Sequence, residues 1–237
     1  MTIDVSLTLR ALSVLLRYPD APMRAHLPEL ASALHAAGAL RADRLTALDS
    51  LIGRLQRADL DAETQYVELF DRGRRTALHL FEHIHGDSRD RGPAMIDLIR
   101  TYEAAGLIIT PDELPDYLPL VLEYASTQPP RAAREFVAEF GHLLAAIRQA
   151  LVHRDSDYAA VFDALLDIAG VAAQPADEPA PEQPIDDTWR EPAAFGGCDT
   201  PAGASRPAEQ TVHLVRRAAN PSSPTASRPA APGHAPS

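Results

Sequence analysis

The chain has 237 residues, 46% of them apolar, and a formal charge of −11 from 33 acidic and 22 basic side chains. That is enough apolar material for one medium domain with extras, and the acidic balance argues against phosphate backbones or anionic lipid as the default partner. All 22 basic residues are arginine and Cys198 is the only cysteine, so neither an intramolecular disulfide nor a cysteine-built metal site can form within one chain.

The first stretch, Met1 to Pro19, carries Asp4, Arg10 and Arg17 on helical spacing and lacks an uninterrupted apolar region or a small-residue cleavage site. No stretch approaches the roughly 20 apolar residues of a membrane-spanning helix. The expected location is therefore the cytoplasm. Leu7, Ala11, Leu12, Val14, Leu15 and Tyr18 form one apolar side of a first helix, closed by Pro19. A second helix is expected from about His26 to Ala37, stopped by Gly38, and a third from Asp43 with Leu45, Leu48, Leu51, Ile52 and Leu55 inward.

The fourth helix is expected to begin near Ala62 and to carry Tyr66, Leu69, Phe70, Ala77, Leu80, Phe81 and Ile84. Pro93 then suits a first helical position, with Met95, Leu98, Ile99 and Tyr102 inward and Gly106 as the cap. Three prolines, at 111, 115 and 119, punctuate the next connection and start a helix from about Asp116 to Ala125. Two more are expected, Arg131 to Leu151 and Ser156 to Ala169, on stripes of Phe136, Phe140, Leu143, Leu144 and Ile147, then Tyr158, Val161, Phe162 and Leu165. No window alternates with period two, and Ile108-Ile109 is too short for a strand. The fold class expected is all-α, a single helical domain of about eight helices over residues 1–170.

Composition changes near Gly170: residues 171–237 hold 12 of the 21 prolines and few large apolar side chains. Such a segment buries too little surface to offset the entropy of ordering, so a disordered Pro/Ala-rich tail is expected. The only tryptophan, Trp189, lies in the island from Ile185 to Phe195 and reads as a docking motif.

The densest polar cluster is residues 71–92. His79, Glu82 and His83 formally match the inverted zinc-protease pattern, with two histidines at i, i+4 on one helix face. That chemistry needs a third ligand from another element, and no segment offers one. Histidines that bond carbonyls and pair with carboxylates suit the same pattern. Arg89 and Arg91 can pair with Asp87, Asp90 or Asp71 across the turn that starts at Gly86. No phosphate loop, nucleophile elbow or dinucleotide fingerprint is present.

The run from Tyr66-Val-Glu-Leu-Phe70-Asp71-Arg72-Gly-Arg74-Arg75 through Leu78-His79-Leu80-Phe81-Glu82-His83-Ile-His85-Gly86-Asp87-Ser88-Arg89-Asp90-Arg91-Gly92 to Met95 closely resembles the signature of the nitrate reductase delta-chain family. Leu15-Leu16-Arg17-Tyr18-Pro19, Tyr102-Glu103-Ala-Ala-Gly106-Leu107, and Glu113-Leu114-Pro115-Asp116-Tyr117-Leu118-Pro119 on to Tyr124 match as well, and Trp189-Arg-Glu191-Pro192 to Phe195 looks like the family's C-terminal motif. Pro93-Ala94 departs from the polar residue expected after Gly92, and the chain beyond about Gly197 has no counterpart.

The resemblance implies a helical molybdoenzyme-chaperone fold and a role without turnover or cofactor of its own. It implies binding of the nitrate reductase alpha subunit's N-terminal segment, in the alpha–beta complex, until molybdenum cofactor and iron–sulfur clusters are in. Molybdenum cofactor delivery proteins are further expected partners, with no nucleic acid and no stable membrane association. Client-peptide binding is expected at Tyr66, Phe70, Asp71, Arg74, Leu78, Phe81, Glu82, His83, His85, Asp87, Arg89 and Arg91. The apolar members would line a groove, the acidic ones would read a positive client end, and each aromatic also fits an ordinary core position. Competing readings are a metal-dependent hydrolase at His79/Glu82/His83 and a permanent helical scaffold subunit.

Overall fold

The computed structural model describes residues 4–58, 60–86, 88–110 and 113–172. The expected tail, its Trp189 motif and Cys198 lie outside the described residues, apart from Val171 and Ala172 at the tail's start.

Eleven helices are present among the described residues, and no strand. They are α1 (Val5–Leu15), α2 (Ala21–Ala25), α3 (Leu27–Ala37), α4 (Ala42–Ala58), α5 (Leu60–Tyr66), α6 (Leu80–His85), α7 (Arg91–Ala104), α8 (Leu118–Thr127), α9 (Pro130–Glu139), α10 (Gly141–His153) and α11 (Ala159–Ala169). Local chemistry sets their ends. Asp4 caps α1 by accepting from Leu7 N at 2.9 Å, and Asp20 caps α2 by accepting from Met23 N at 2.8 Å. Gly38 and Gly170 stop α3 and α11 at φ of +62° and +69°, a conformation that costs other residues a Cβ clash.

Helix α1 is the hub. It packs most extensively on α8, then on α3, α11 and α9, and Leu9, Leu12, Leu15 and Leu16 are wholly buried. Ser13 Oγ donates to Pro119 O at 2.8 Å, which fixes the rotation of α1 against the start of α8. Helix α11 supplies the other half of the core through Val161, Phe162 and Leu165, and α10 and α4 cover it. Arg44 and Arg148 both reach Asp163 and so lace α4 and α10 to α11.

Two of the long helices expected from periodicity are broken. The stretch from Ala62 to Ile84 divides into α5, a π turn over Val67–Asp71, an irregular loop, and α6. Gly73 explains the loop: a Cβ there would overlap Thr76 Oγ1, the Leu69 carbonyl and the Arg154 guanidinium, so only glycine allows this approach. Arg131 to Leu151 divides at Phe140, which ends α9 and precedes α10. The five-residue α2 is an addition that no periodicity signals. Among the described residues no helix is long and apolar enough to cross a membrane.

Candidate functional site

The signature segment is held by one buried carboxylate. Asp116 is fully buried just ahead of α8, and its Oδ2 accepts from Phe81 N at 3.0 Å in the first turn of α6. Around it the backbones of residues 78–80 and 116–118 pair in a single antiparallel bridge. Leu80 N donates to Asp116 O at 3.1 Å, and Leu118 N to Leu78 O at 2.8 Å. His79 Nδ1 lies 3.4 Å from Asp116 Oδ1, and Arg91 Nη2 lies 3.8 Å from Oδ2. Tyr102 of α7 donates to Pro115 O at 2.8 Å, so α6, α7 and α8 converge on this connection.

Replacing Asp116 with alanine orphans a buried N–H and removes a charged acceptor, at a cost of about 2–3 kcal/mol. Asp116→Asn keeps an acceptor oxygen and is expected to lose roughly half as much. Urea unfolding of both variants checks this; a loss below about 0.5 kcal/mol for the alanine would mean that the clamp contributes nothing.

The twelve expected client-binding residues separate into two sets. Tyr66, Phe70, Leu78 and Phe81 are buried members of the hydrophobic core, the ordinary core position that the sequence also allows for the aromatics. Tyr66 packs its ring 4.8 Å from Phe70 and donates its hydroxyl to Leu16 O at 2.7 Å, which ties the signature segment to the end of α1. Burial pushes the Tyr66 hydroxyl far above its ordinary pKa, with Tyr117 at 3.2 Å adding to the effect.

The second set stays near the surface. Arg74, Glu82, His83 and Arg91 come together with Gly86 around a recess of about 260 Å³. His85 is half-buried, its ring 5.6 Å from Phe81, while Asp71 and Arg89 are exposed and Asp87 falls outside the described residues. Arg91 pairs with Glu82 at 3.7 Å and with Asp116 at 3.8 Å.

The single helix face expected to carry His79 and His83 does not form. His79 precedes α6 with an extended backbone (φ −86°, ψ 102°), so it does not share a helical face with His83. His83 Nε2 donates to Ala77 O at 2.9 Å, and no group of three metal-binding side chains gathers among the described residues.

An open apolar groove does exist, but on another face. Helix α1 on one side and α2 with α3 on the other enclose about 690 Å³. Its floor is Leu7, Ala11, Val14, Met23, Leu30 and Ala33, and its rim carries Arg10, Arg17, Asp20 and Glu29. Tyr18 closes one end. It is 42% exposed and donates to Glu63 at 3.0 Å. The Arg24 guanidinium, and after it the Tyr18 hydroxyl, hold the Glu63 carboxyl below its usual range. The sequence does hold the signal for this groove, because Leu7, Ala11, Val14 and Tyr18 lie on one side of α1. That stripe also reads as core, and the facing wall comes from the unforeseen α2.

Comparison with known proteins bears on what such a molecule does. The nitrate reductase delta subunit family matches residues 17–164. The nitrate reductase molybdenum cofactor assembly chaperone NarJ of Escherichia coli (strain K12) is 44% identical over 189 residues, covering 76% of this chain and 80% of that protein. "Probable nitrate reductase molybdenum cofactor assembly chaperone NarW" of the same strain is 42% identical over 162 residues, 68% of each chain. "Probable nitrate reductase molybdenum cofactor assembly chaperone NarJ" of Bacillus subtilis (strain 168) is 34% identical over 167 residues, 70% of this chain and 89% of that protein.

Proposed function

This chain belongs to the nitrate reductase delta subunit family, and from that membership we propose that it is a system-specific assembly chaperone for a respiratory nitrate reductase. It binds the alpha subunit, with beta, in the cytoplasm and holds it competent for molybdenum cofactor and iron–sulfur insertion before membrane assembly. It then leaves, and it performs no catalytic turnover. The observation that carries this reading is the 44% identity, over most of both chains, to an E. coli protein named as a nitrate reductase molybdenum cofactor assembly chaperone.

The α1/α2–α3 groove supports a way of holding the client. An amphipathic segment lays its apolar face on such a floor while charges at the edge fix its register. Helix α1 has 11 residues, about 16 Å of wall, which accommodates roughly three turns of a helical segment. The client site proposed here is therefore this groove, with the N-terminal segment of the alpha subunit as occupant. The exposed signature residues Asp71, Arg74 and Glu82, with the half-buried His83 and Arg91, are a second face that a folded alpha–beta complex can reach.

Titration calorimetry of the full chain with a peptide of the co-encoded alpha subunit's N-terminus tests both statements. Saturable binding in the micromolar range is expected. Ala33→Arg, which plants a long side chain in the groove from a half-buried helical position, is expected to weaken it by more than about tenfold, roughly 1.4 kcal/mol. Unchanged binding by that variant, together with a loss on Arg74→Gln or Glu82→Gln, would move the client to the signature face. No binding by the folded wild type would remove the segment as client.

A further inference from the structure

We propose that the recess walled by Arg74, Glu82, His83 and Arg91 is a binding site for a phosphate-type oxyanion, either free or carried as a monoester on a small molecule. The site is distinct from the client groove; it shares Arg74, Glu82, His83 and Arg91 with the second face that a client can reach, and titration with phosphate in the absence of client separates the two.

The first argument is charge. The molecule carries −11 overall, yet this recess of about 260 Å³ brings together the guanidinium groups of Arg74 and Arg91, with Glu82 in its wall and the buried Asp116 carboxylate 3.8 Å from Arg91. Arg91 is matched by those two carboxylates, whereas Arg74 has none against it among the described residues, and this unmatched cation attracts an anion to the recess.

The second argument is that the donors are not used up. Arg74 is exposed and makes no hydrogen bond or ion pair among the described residues. Arg91 reaches Glu82 Oε1 at 3.7 Å and Asp116 Oδ2 at 3.8 Å. Both distances exceed the roughly 2.7–2.9 Å of a charge-assisted hydrogen bond, so the Arg91 fork keeps N–H groups to offer. His83 spends Nε2 on the Ala77 carbonyl at 2.9 Å, which fixes the ring in the wall of the recess and leaves Nδ1 uncommitted.

The third argument is placement. Arg74 comes from the loop fixed by Gly73, and Arg91 opens α7 beside the buried Asp116. Two rigidly based arginines from separate elements can engage different oxygens of one tetrahedral group. A phosphate supplies three such oxygens and up to two charges, whereas a carboxylate supplies two oxygens and one charge.

The test uses the full chain labelled with nitrogen-15 and follows the arginine Nε–Hε signals during titration with inorganic phosphate, chloride being exchanged to hold ionic strength constant. The Arg74 and Arg91 signals are expected to move saturably with one dissociation constant. Arg74→Gln, which removes no contact of the fold, is expected to weaken binding at least tenfold, and Arg100→Gln elsewhere on α7 is expected to leave it unchanged. Phenyl phosphate distinguishes the sources: tighter binding than phosphate marks a monoester on a small molecule, and equal binding marks the free ion. Glutarate binding as tightly as phosphate would overturn the assignment in favour of a protein carboxylate. Shifts spread over all arginines, or unaffected by Arg74→Gln, would overturn it as general screening.

Discussion

Phe70→Ala is expected to destabilise the chain by about 3–5 kcal/mol, the usual cost of deleting a buried ring from a core. For a protein of this length that lowers the thermal midpoint by about 6–20 °C. Phe70 is 3% exposed, in the π turn over Val67–Asp71, with its ring 4.8 Å from Tyr66 and 5.0 Å from Tyr158. The cavity left by alanine would lie among rings already fixed by their own contacts, so little relaxation can fill it. Phe81, 8% exposed and flanked by His85, has more room to adjust and is expected to cost less. Thermal melts paired with client-peptide titration give the decisive readout. Lost binding at an unchanged midpoint would restore Phe70 to the client site, whereas a large fall in the midpoint with binding intact at low temperature places it in the core.

That contrast explains what the sequence shows and what it hides. Helix type is legible almost throughout, because apolar residues recur at helical spacing and prolines and glycines mark the ends. The break inside residues 62–84 is not, because Ala77, Leu80 and Phe81 continue the apolar period across a loop whose cause is packing around Gly73. The same ambiguity divides the signature segment. A family signature holds residues needed for any reason, so the buried Tyr66 and Phe70 stand in it beside the exposed Arg74 and Glu82. Only burial separates them. Asp116 shows the converse: from sequence it is one turn residue among prolines, yet it caps α6 from 35 positions away. The groove was hidden because its two walls come from separate helices, and because α2, five residues long, is too short for any periodicity to register.

Alkaline pH offers a large effect that reads the same tyrosine cluster directly. Burial is the leading cause that raises Tyr66, Tyr102 and Tyr158 well above the ordinary value of 10.0. A group raised in the fold contributes stability that is complete below its unfolded pKa and is lost as pH climbs toward the folded one. The loss therefore begins near pH 10. At pH 11 each of the three has cost about 1.4 kcal/mol, or about 4 kcal/mol together. The half-buried Tyr117, raised mainly by burial, adds to the trend. The chain contains no lysine, so no ammonium titration overlaps this range. Tyr158→Phe isolates one share, since the Tyr158 hydroxyl is buried with no hydrogen-bond partner while Tyr66 donates to Leu16 O. Removing an unpaired buried hydroxyl is expected to be neutral or mildly stabilising at pH 8 and to shrink the alkaline loss by roughly a third. Tyr66→Phe is expected to cost about 1 kcal/mol at pH 8, because it leaves a carbonyl at the end of α1 unpaired. Urea unfolding at pH 8, 10 and 11 measures all three proteins. An alkaline slope unchanged by either substitution would mean that the rings beneath the signature segment are open to water, and that the firm base assigned to Arg74 and Arg91 is missing.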